Sequence, residues 1–289
     1  MNSICFFSSY FTSPEIPGYI TYYLSQLKRY FRTVVIYIND HTVDERQLSA
    51  LRSAGIEYRM VKNEGFDFGM WYKAFREFDV NEYDRIGLVN DSCILFAPPD
   101  RLFQWIDSSD CDYCGFSGSN AIAYHVQSYF IVIKKKAIGH VARYFEKTGV
   151  LSGVHEVIRR YEVGLSEYLA AAGIKTGAMF SFSDYRGEFN PVILYCEDLI
   201  RQKVPLIKKK ILRFSFRPEE MFTLMRMNFR SSPHYYAALI GRHNPDARLD
   251  LVQSAVNSAS PFRLKMYAIA RTIFNAAKAA VKRIKPGAA

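Results

Sequence analysis

The chain is poor in cysteine. Its five thiols, at positions 5, 93, 111, 114 and 196, are odd in number and scattered, so a framework of disulfides is not expected and a reducing compartment fits better. Cys111-Asp-Tyr-Cys114 has the spacing of a metal or redox pair. No second Cys/His pair completes a zinc set, and two half-buried thiols on a strand is the simpler reading. Met1-Asn-Ser-Ile-Cys-Phe-Phe7 has neither a basic leader nor a cleavage site, so a secretory signal is not expected. No uninterrupted apolar run reaches the ~20 residues of a membrane span, which points to a soluble or peripheral protein. There is no internal repeat. A glycine-rich phosphate loop with a lysine near the amino terminus is also missing. Ser8-Ser-Tyr-Phe-Thr-Ser-Pro14 has neither feature, which counts against a nucleotidyl- or phosphosugar-transferase.

What is present is a large apolar inventory. The 289 residues are 49% hydrophobic and 15% aromatic, enough for one large α/β domain with appendages or two small ones, and too much for global disorder. The formal net charge of +10 suits nucleic acid, an anionic membrane or phosphorylated substrates, and much of it lies after residue 200.

Apolar strands alternate with amphipathic stretches. Strands are expected at Ile4–Phe7, Thr33–Ile38, Ile56–Val61 and Arg85–Asn90, with helices over Pro17–Tyr30, 44–53 and Met70–Phe78. This alternation predicts a Rossmann-type, mainly parallel sheet flanked by helices. Further strands are expected at Tyr113–Gly118, Ser128–Ile133 and near Thr176–Phe182. Helices are expected at Leu102–Ile106, Val141–Phe145 and Val154–Ala172, the last capped by Gly173. The chain is thereby expected to divide into 1–217, the α/β domain, and 218–289, a basic, helical carboxyl-terminal extension.

Polar residues cluster where those strands end: Ser8 and Ser9, Asn39 and Asp40, Asn63, then Asn90 and Asp91. In open α/β sheets such ends line the ligand crevice. Asp91, in Asn90-Asp91-Ser92, is the metal candidate, able to hold Mg2+ or Mn2+ and through it a diphosphate. Only one carboxylate stands there, and capping of the following turn is the plainer alternative. In Asn63-Glu-Gly-Phe-Asp-Phe-Gly69 the glycines allow positive φ and close approach. Asp67 is placed to accept from a ribose or sugar hydroxyl, or to cap the next helix. His125, Gln127 and Tyr129 alternate, so they are expected on one face, offering neutral donors and acceptors. Glu162 and Glu167 are the general-base candidates. Glu167 suits a solvated helix face, which leaves Glu162. Lys203–Arg217 holds six cations and no acid, and Lys208 and Lys209 are placed there as diphosphate contacts. Residues 262–285 carry Arg263, Lys265, Arg271, Lys278, Lys282, Arg283 and Lys285, no acid, and apolar residues at helical spacing. They read as an interfacial helix on an anionic membrane rather than a nucleic-acid tail.

In this order, Asn63-x-Gly-x-Asp-x-Gly69, Leu88-Val-Asn-Asp-Ser92, His125-x-Gln-Ser-Tyr-Phe130, Tyr161-Glu-x-Gly-Leu-Ser166, Asn190-Pro191 and Pro205-Leu-Ile-Lys-Lys209 resemble the rhamnan synthesis protein F family of bacterial polysaccharide glycosyltransferases. The likeness covers roughly residues 1–215, and the residues beyond about 218 match no pattern. It implies a GT-A-like fold and a nucleotide-sugar donor, with rhamnose from dTDP-rhamnose the best-known case. It also implies a polyprenyl-diphosphate-linked or growing glycan acceptor at the cytoplasmic face of the bacterial membrane. More distantly, Tyr161–Gly173 resembles the acidic motif of inverting transferases, whose base falls on Glu162. The expectation is therefore an inverting glycosyltransferase of O-antigen or capsule synthesis, with no nucleic-acid partner. The alternative is a non-enzymatic basic module binding membrane or RNA.

Overall fold

The computed structural model describes residues 1–40, 43–182 and 191–210. Two compact units are distinguished: Met1–Tyr195 with Pro205–Lys208, and Cys196–Val204 with the chain from Lys209 onward. The second unit contributes α9 (Cys196–Arg201) to the described residues, closed by Val204 N–H donating to the Leu199 carbonyl. The expected extension 218–289, its helix at 262–285, and Arg213 and Arg217 lie outside the described residues.

The first unit is built on β1 (Ser3–Ser9), β2 (Thr33–Asn39), β3 (Glu57–Val61), β4 (Arg85–Asn90), β5 (Cys93–Leu95), β6 (Tyr113–Ser119), β7 (His125–Val126), β8 (Phe130–Lys134), β9 (Thr176–Ser181) and β10 (Leu206–Lys208). Eight of these form one sheet in the order β3-β2-β1-β4-β8-β6-β7, with β9 on β6, while β5 pairs with β10. β1 runs parallel to β2 and β4, β2 to β3, and β6 to β9; β8 and β7 run against their neighbours. The sheet is therefore mixed but mainly parallel, as expected of a GT-A-like fold.

β1 is buried at every position because helices cover both its faces. Consecutive side chains of a strand point to opposite sides. Phe7 accordingly meets Tyr23 of α1 (Gly18–Leu27), with ring centroids 5.2 Å apart, while Phe6 meets Phe75 of α3 (Phe66–Glu77) at 6.1 Å. α2 (Glu45–Ser53) is capped by Asp44, whose carboxylate accepts from Arg46 N–H at 2.8 Å. α4 (Asp100–Ser108) joins the α1 side through Phe103, which stacks on Tyr30 at 3.7 Å. α5 (Lys135–Thr148), α6 (Val154–Val157) and α7 (Gly164–Ala171) extend the α3 side. Phe68, Trp71, Phe145, Tyr161 and Leu165 share one apolar core there. A short α8 (Pro191–Leu194) follows β9.

Three differences from expectation have local causes. The helix expected from Met70 begins a turn earlier, at Phe66, because Gly65 takes a left-handed conformation (φ 74°) that starts it. The run expected as a strand from Ser128 starts at Phe130, since residues 127–129 leave the ladder. Cys111 and Cys114, read as free thiols, are bonded: the turn into β6 brings their Cα atoms to 5.8 Å, within disulfide reach. This is a local staple rather than a framework, and Cys5, Cys93 and Cys196 form no disulfide among the described residues. Among the described residues no helix is long and apolar enough to cross a membrane.

Candidate active site

β1, β2, β3 and β4 are parallel, so their carboxyl ends lie on one side of the sheet. Ser8 is the register partner of Asn90, and Asp91 N–H donates to the Ser8 carbonyl at 3.1 Å. Alternation then separates two neighbours. Ser8 faces α3, donating to Asp67 Oδ1 at 3.1 Å with Met70 Sδ at 3.0 Å. Ser9 faces away from α3, and its buried Oγ has no hydrogen-bond partner among the described residues.

Asp67 reaches this point because of the glycines around it. Gly65 starts the helix, which puts Asp67 in the first turn, where the helix dipole favours a carboxylate. A Cβ on Gly69 would lie 1.6 Å from the Glu64 carbonyl oxygen, so no side chain fits. Both glycines thus build the turn that delivers Asp67. Asn63 itself is exposed. The second Asp67 oxygen accepts from Asn90 Nδ2 at 2.6 Å. Asn90 Oδ1 in turn accepts from Ser92 N–H (3.0 Å) and Ser92 Oγ (2.6 Å), which fixes the turn carrying the buried Asp91. The β5–β10 pair aligns Lys208 with Cys93. Lys208 Nζ lies 3.3 Å from Ser92 Oγ and 4.2 Å from the centre of the Tyr129 ring.

Glu162 sits in a π-helical turn, Ile158–Val163, between α6 and α7. Such turns widen the helix and re-aim side chains. Its Oε1 accepts from Ser128 N–H (3.4 Å) and from Ser128 Oγ, and its Oε2 lies 3.9 Å from His125 Nε2. Ser128 reaches it from a bulge. Gly118 pairs with Val126, whereas Gly115, three residues back, pairs with Ile131, five residues on. The two extra residues bend the strand beside the site. They also break the expected alternation. His125 and Ser128 turn to Glu162, whereas Gln127 and Tyr129 bond to Ser117.

The two halves adjoin. The rings of Phe68 and Tyr161, neighbours in sequence of Asp67 and Glu162, stack at 4.6 Å. Asn90 N–H donates to the carbonyl of Tyr129, next to Ser128. Burial raises the phenol pKa of both Tyr113 and Tyr129, and the charge of Glu162 adds to it, so both remain neutral hydroxyls.

Several expected residues stand apart. Asn39 clasps the backbone of Phe11, accepting from its N–H at 2.7 Å and donating to its carbonyl at 2.9 Å, and so shapes the loop after β1. Asp40 is exposed beyond β2. Gln127 serves the buried Ser117–Tyr129 network rather than the Glu162 side. Lys209 belongs to the second unit. Two cavities lie elsewhere: one of about 310 Å³ between α3 and α5, one of about 470 Å³ between α1 and α2. Ser92 and Ser128 were missed as site residues. Ser128 carried a signal, since Gln-Ser interrupts an otherwise apolar strand. Among the described residues no three His, Cys, Asp or Glu side chains group as a metal set. A hard cation shared between Asp91 and a ligand's phosphates needs no such set.

The family model for rhamnan synthesis protein F matches residues 35–276. The chain belongs to that family. This places it among glycosyltransferase-like proteins of polysaccharide synthesis. The match also extends the likeness past residue 218, where the sequence alone showed no pattern, as far as 276. No curated protein matches the chain. Among solved structures, one described as a nucleotide-diphospho-sugar transferase from Desulfovibrio desulfuricans G20 is similar over 84% of this chain and 99% of its own, at 17% identity and a TM-score of 0.45. The 4-diphosphocytidyl-2C-methyl-D-erythritol synthase of Anaerococcus prevotii DSM 20548 is similar over 69% and 98%, at 10% identity and 0.42. Glucosyl-3-phosphoglycerate synthase of Mycobacterium tuberculosis, solved with Mn2+, UDP and phosphoglyceric acid, is similar over 62% and 68%, at 8% identity and 0.36. At such identities and scores these likenesses carry no functional weight.

Proposed function

We propose that this member of the family is an inverting glycosyltransferase using a nucleotide-sugar donor. One observation carries the reading: Ser8, Asp67 and Asn90 are hydrogen-bonded into a single polar cluster at the carboxyl ends of β1 and β4, beside Asp91, and Glu162 bonds to Ser128, next to the Tyr129 whose carbonyl accepts from Asn90. Burying that much polarity costs free energy unless the groups serve each other or a ligand.

In this reading Asp67 orients a hydroxyl of the nucleotide ribose or donor sugar. Lys208 faces the diphosphate. Asp91 would hold a Mg2+ or Mn2+, and such an ion, when bound, would supply electrostatic stabilisation of the departing diphosphate. Glu162 accepts the proton of the acceptor hydroxyl. The hydroxyl oxygen then bonds to the anomeric carbon from the face opposite the diphosphate, and the old glycosyl bond breaks with inversion. The donor we favour is dTDP-rhamnose, and the acceptor a polyprenyl-diphosphate-linked or growing glycan of O-antigen or capsule. Residues 262–285 would hold the protein on the anionic cytoplasmic face of the membrane.

The experiment is a thermal-shift screen of nucleotide sugars on the full chain, with and without Mn2+ or Mg2+. A ligand that binds only the native state raises the melting temperature. A rise is expected with at least one nucleoside-diphosphate sugar, larger than with the free sugar. No rise with any of them would overturn the proposal.

A further inference from the structure

We propose that His125 is the positioning partner of Glu162, holding a proton jointly with it. The inference rests on Glu162 as the base and gives His125 a different task from the ligand-binding one read from sequence. His125 lies on β7 and its side chain is 5% exposed. Its Nδ1 is 2.9 Å from the Ala123 carbonyl oxygen. A carbonyl only accepts, so Nδ1 carries the hydrogen. In the neutral ring Nε2 is then left with a lone pair, and Nε2 is the atom facing Glu162 Oε2 at 3.9 Å.

The other oxygen of Glu162 is occupied by both donors of Ser128. A lone pair opposite a carboxylate is an unfavourable arrangement in a half-buried site until a proton joins them. The pair is therefore built to take one proton, and the acceptor hydroxyl supplies it. The O–H bond of the acceptor breaks, its electron pair forms the new bond to the anomeric carbon, and the diphosphate leaves with the electrons of the old one. The proton arrives at Oε2, closure of the 3.9 Å gap lets Nε2 share it, and the more exposed Glu162 later releases it to water. Elements around the pair add little competing charge. β6 contributes Tyr113 and the bulge Tyr129, both neutral phenols. β9 contributes no charged residue, and Glu167 of α7 and Arg159 and Arg160 of the π-helical turn are exposed.

The test uses the full chain labelled with ¹⁵N-histidine, His125→Asn to assign its resonances, and release of dTDP from dTDP-rhamnose as the turnover probe. Asparagine can still donate to the Ala123 carbonyl but has nothing at the Nε2 position, so a merely structural role would survive it. Expected are an Nδ1–H tautomer for neutral His125 and an Nε2 resonance that moves in Glu162→Gln. In His125→Asn, kcat should fall about 10²-fold, with an altered pH–kcat profile and little change in KM. An Nε2–H tautomer, an Nε2 resonance indifferent to Glu162→Gln, or native kcat and pH profile in His125→Asn would each overturn the pairing. If Glu162→Gln is inactive while His125→Asn behaves as native, the base stands and the partner falls. If Glu162→Gln keeps native turnover, the base assignment itself falls.

Discussion

The same strand carries two kinds of polarity at its two ends. At the amino end of β4, Arg85, 11% exposed, pairs with Asp107, 57% exposed, and β6 and β9 begin beside Lys136–Asp112 and Lys175–Asp110, each pair keeping at least one partner in solvent. At the carboxyl end, Asn90 and Asp91 are buried, and Asn90 is bonded to Asp67 and Ser92. Ion pairs with one partner in solvent, as at the amino end, cost less to form than buried ones and contribute modestly. Buried polar groups at the carboxyl end cost more and must be satisfied one by one. The first arrangement keeps a surface soluble. The second holds several side chains in fixed directions, which is what a ligand site requires.

Four substitutions test that contrast, in order of expected effect. Asp91→Ala should lower turnover by about 10²- to 10³-fold, the range for loss of one electrostatic contact to a leaving group, without unfolding the chain. Kinetics alongside circular dichroism would check it, and near-native turnover would remove Asp91 from the mechanism. Gly69→Ala forces a Cβ onto the Glu64 carbonyl and should cost about 3 kcal/mol in denaturant unfolding, the upper range for overpacking. An unchanged midpoint would mean that the turn relaxes freely and does not fix Asp67. Lys208→Ala should lower kcat/KM about tenfold, roughly 1.4 kcal/mol, while the fold persists. Asp107→Ala, at the amino end, should change stability by less than about 1 kcal/mol and leave turnover alone. A large kinetic effect there would erase the distinction between the two ends.

The sheet was legible because its strands are apolar runs of ordinary length and the intervening helices have clear faces. β2 and β4 were located almost to the residue. The location of Ser8, Asn90 and Asp91 followed from one topological rule, since parallel strands must end together. What could not be read was anything set by a single local conformation. The left-handed Gly65 moved a helix start by a turn and made Asp67 helical. A two-residue bulge sent His125 and Gln127 to different partners, where strict alternation had put them on one face. The turn before β6 joined two cysteines that spacing alone left free. Short strands such as β5 and β10 carry too few residues for a periodic signal, so the route by which Lys208 reaches Ser92 was invisible. Asn39 shows the converse: a polar residue at the right strand end, spent on clasping a neighbouring loop.

The most direct measurement is nucleotide-sugar affinity by calorimetry, using whichever nucleotide sugar raises the melting temperature most. Native chain, Asp91→Ala and Asp107→Ala would be compared under identical salt and metal. Tight binding is predicted for the native and Asp107→Ala chains, with weakening by about tenfold or more, ~1.4 kcal/mol, in Asp91→Ala. Equal affinity for all three would place the donor away from the carboxyl ends of β1 and β4 and contradict the assignment.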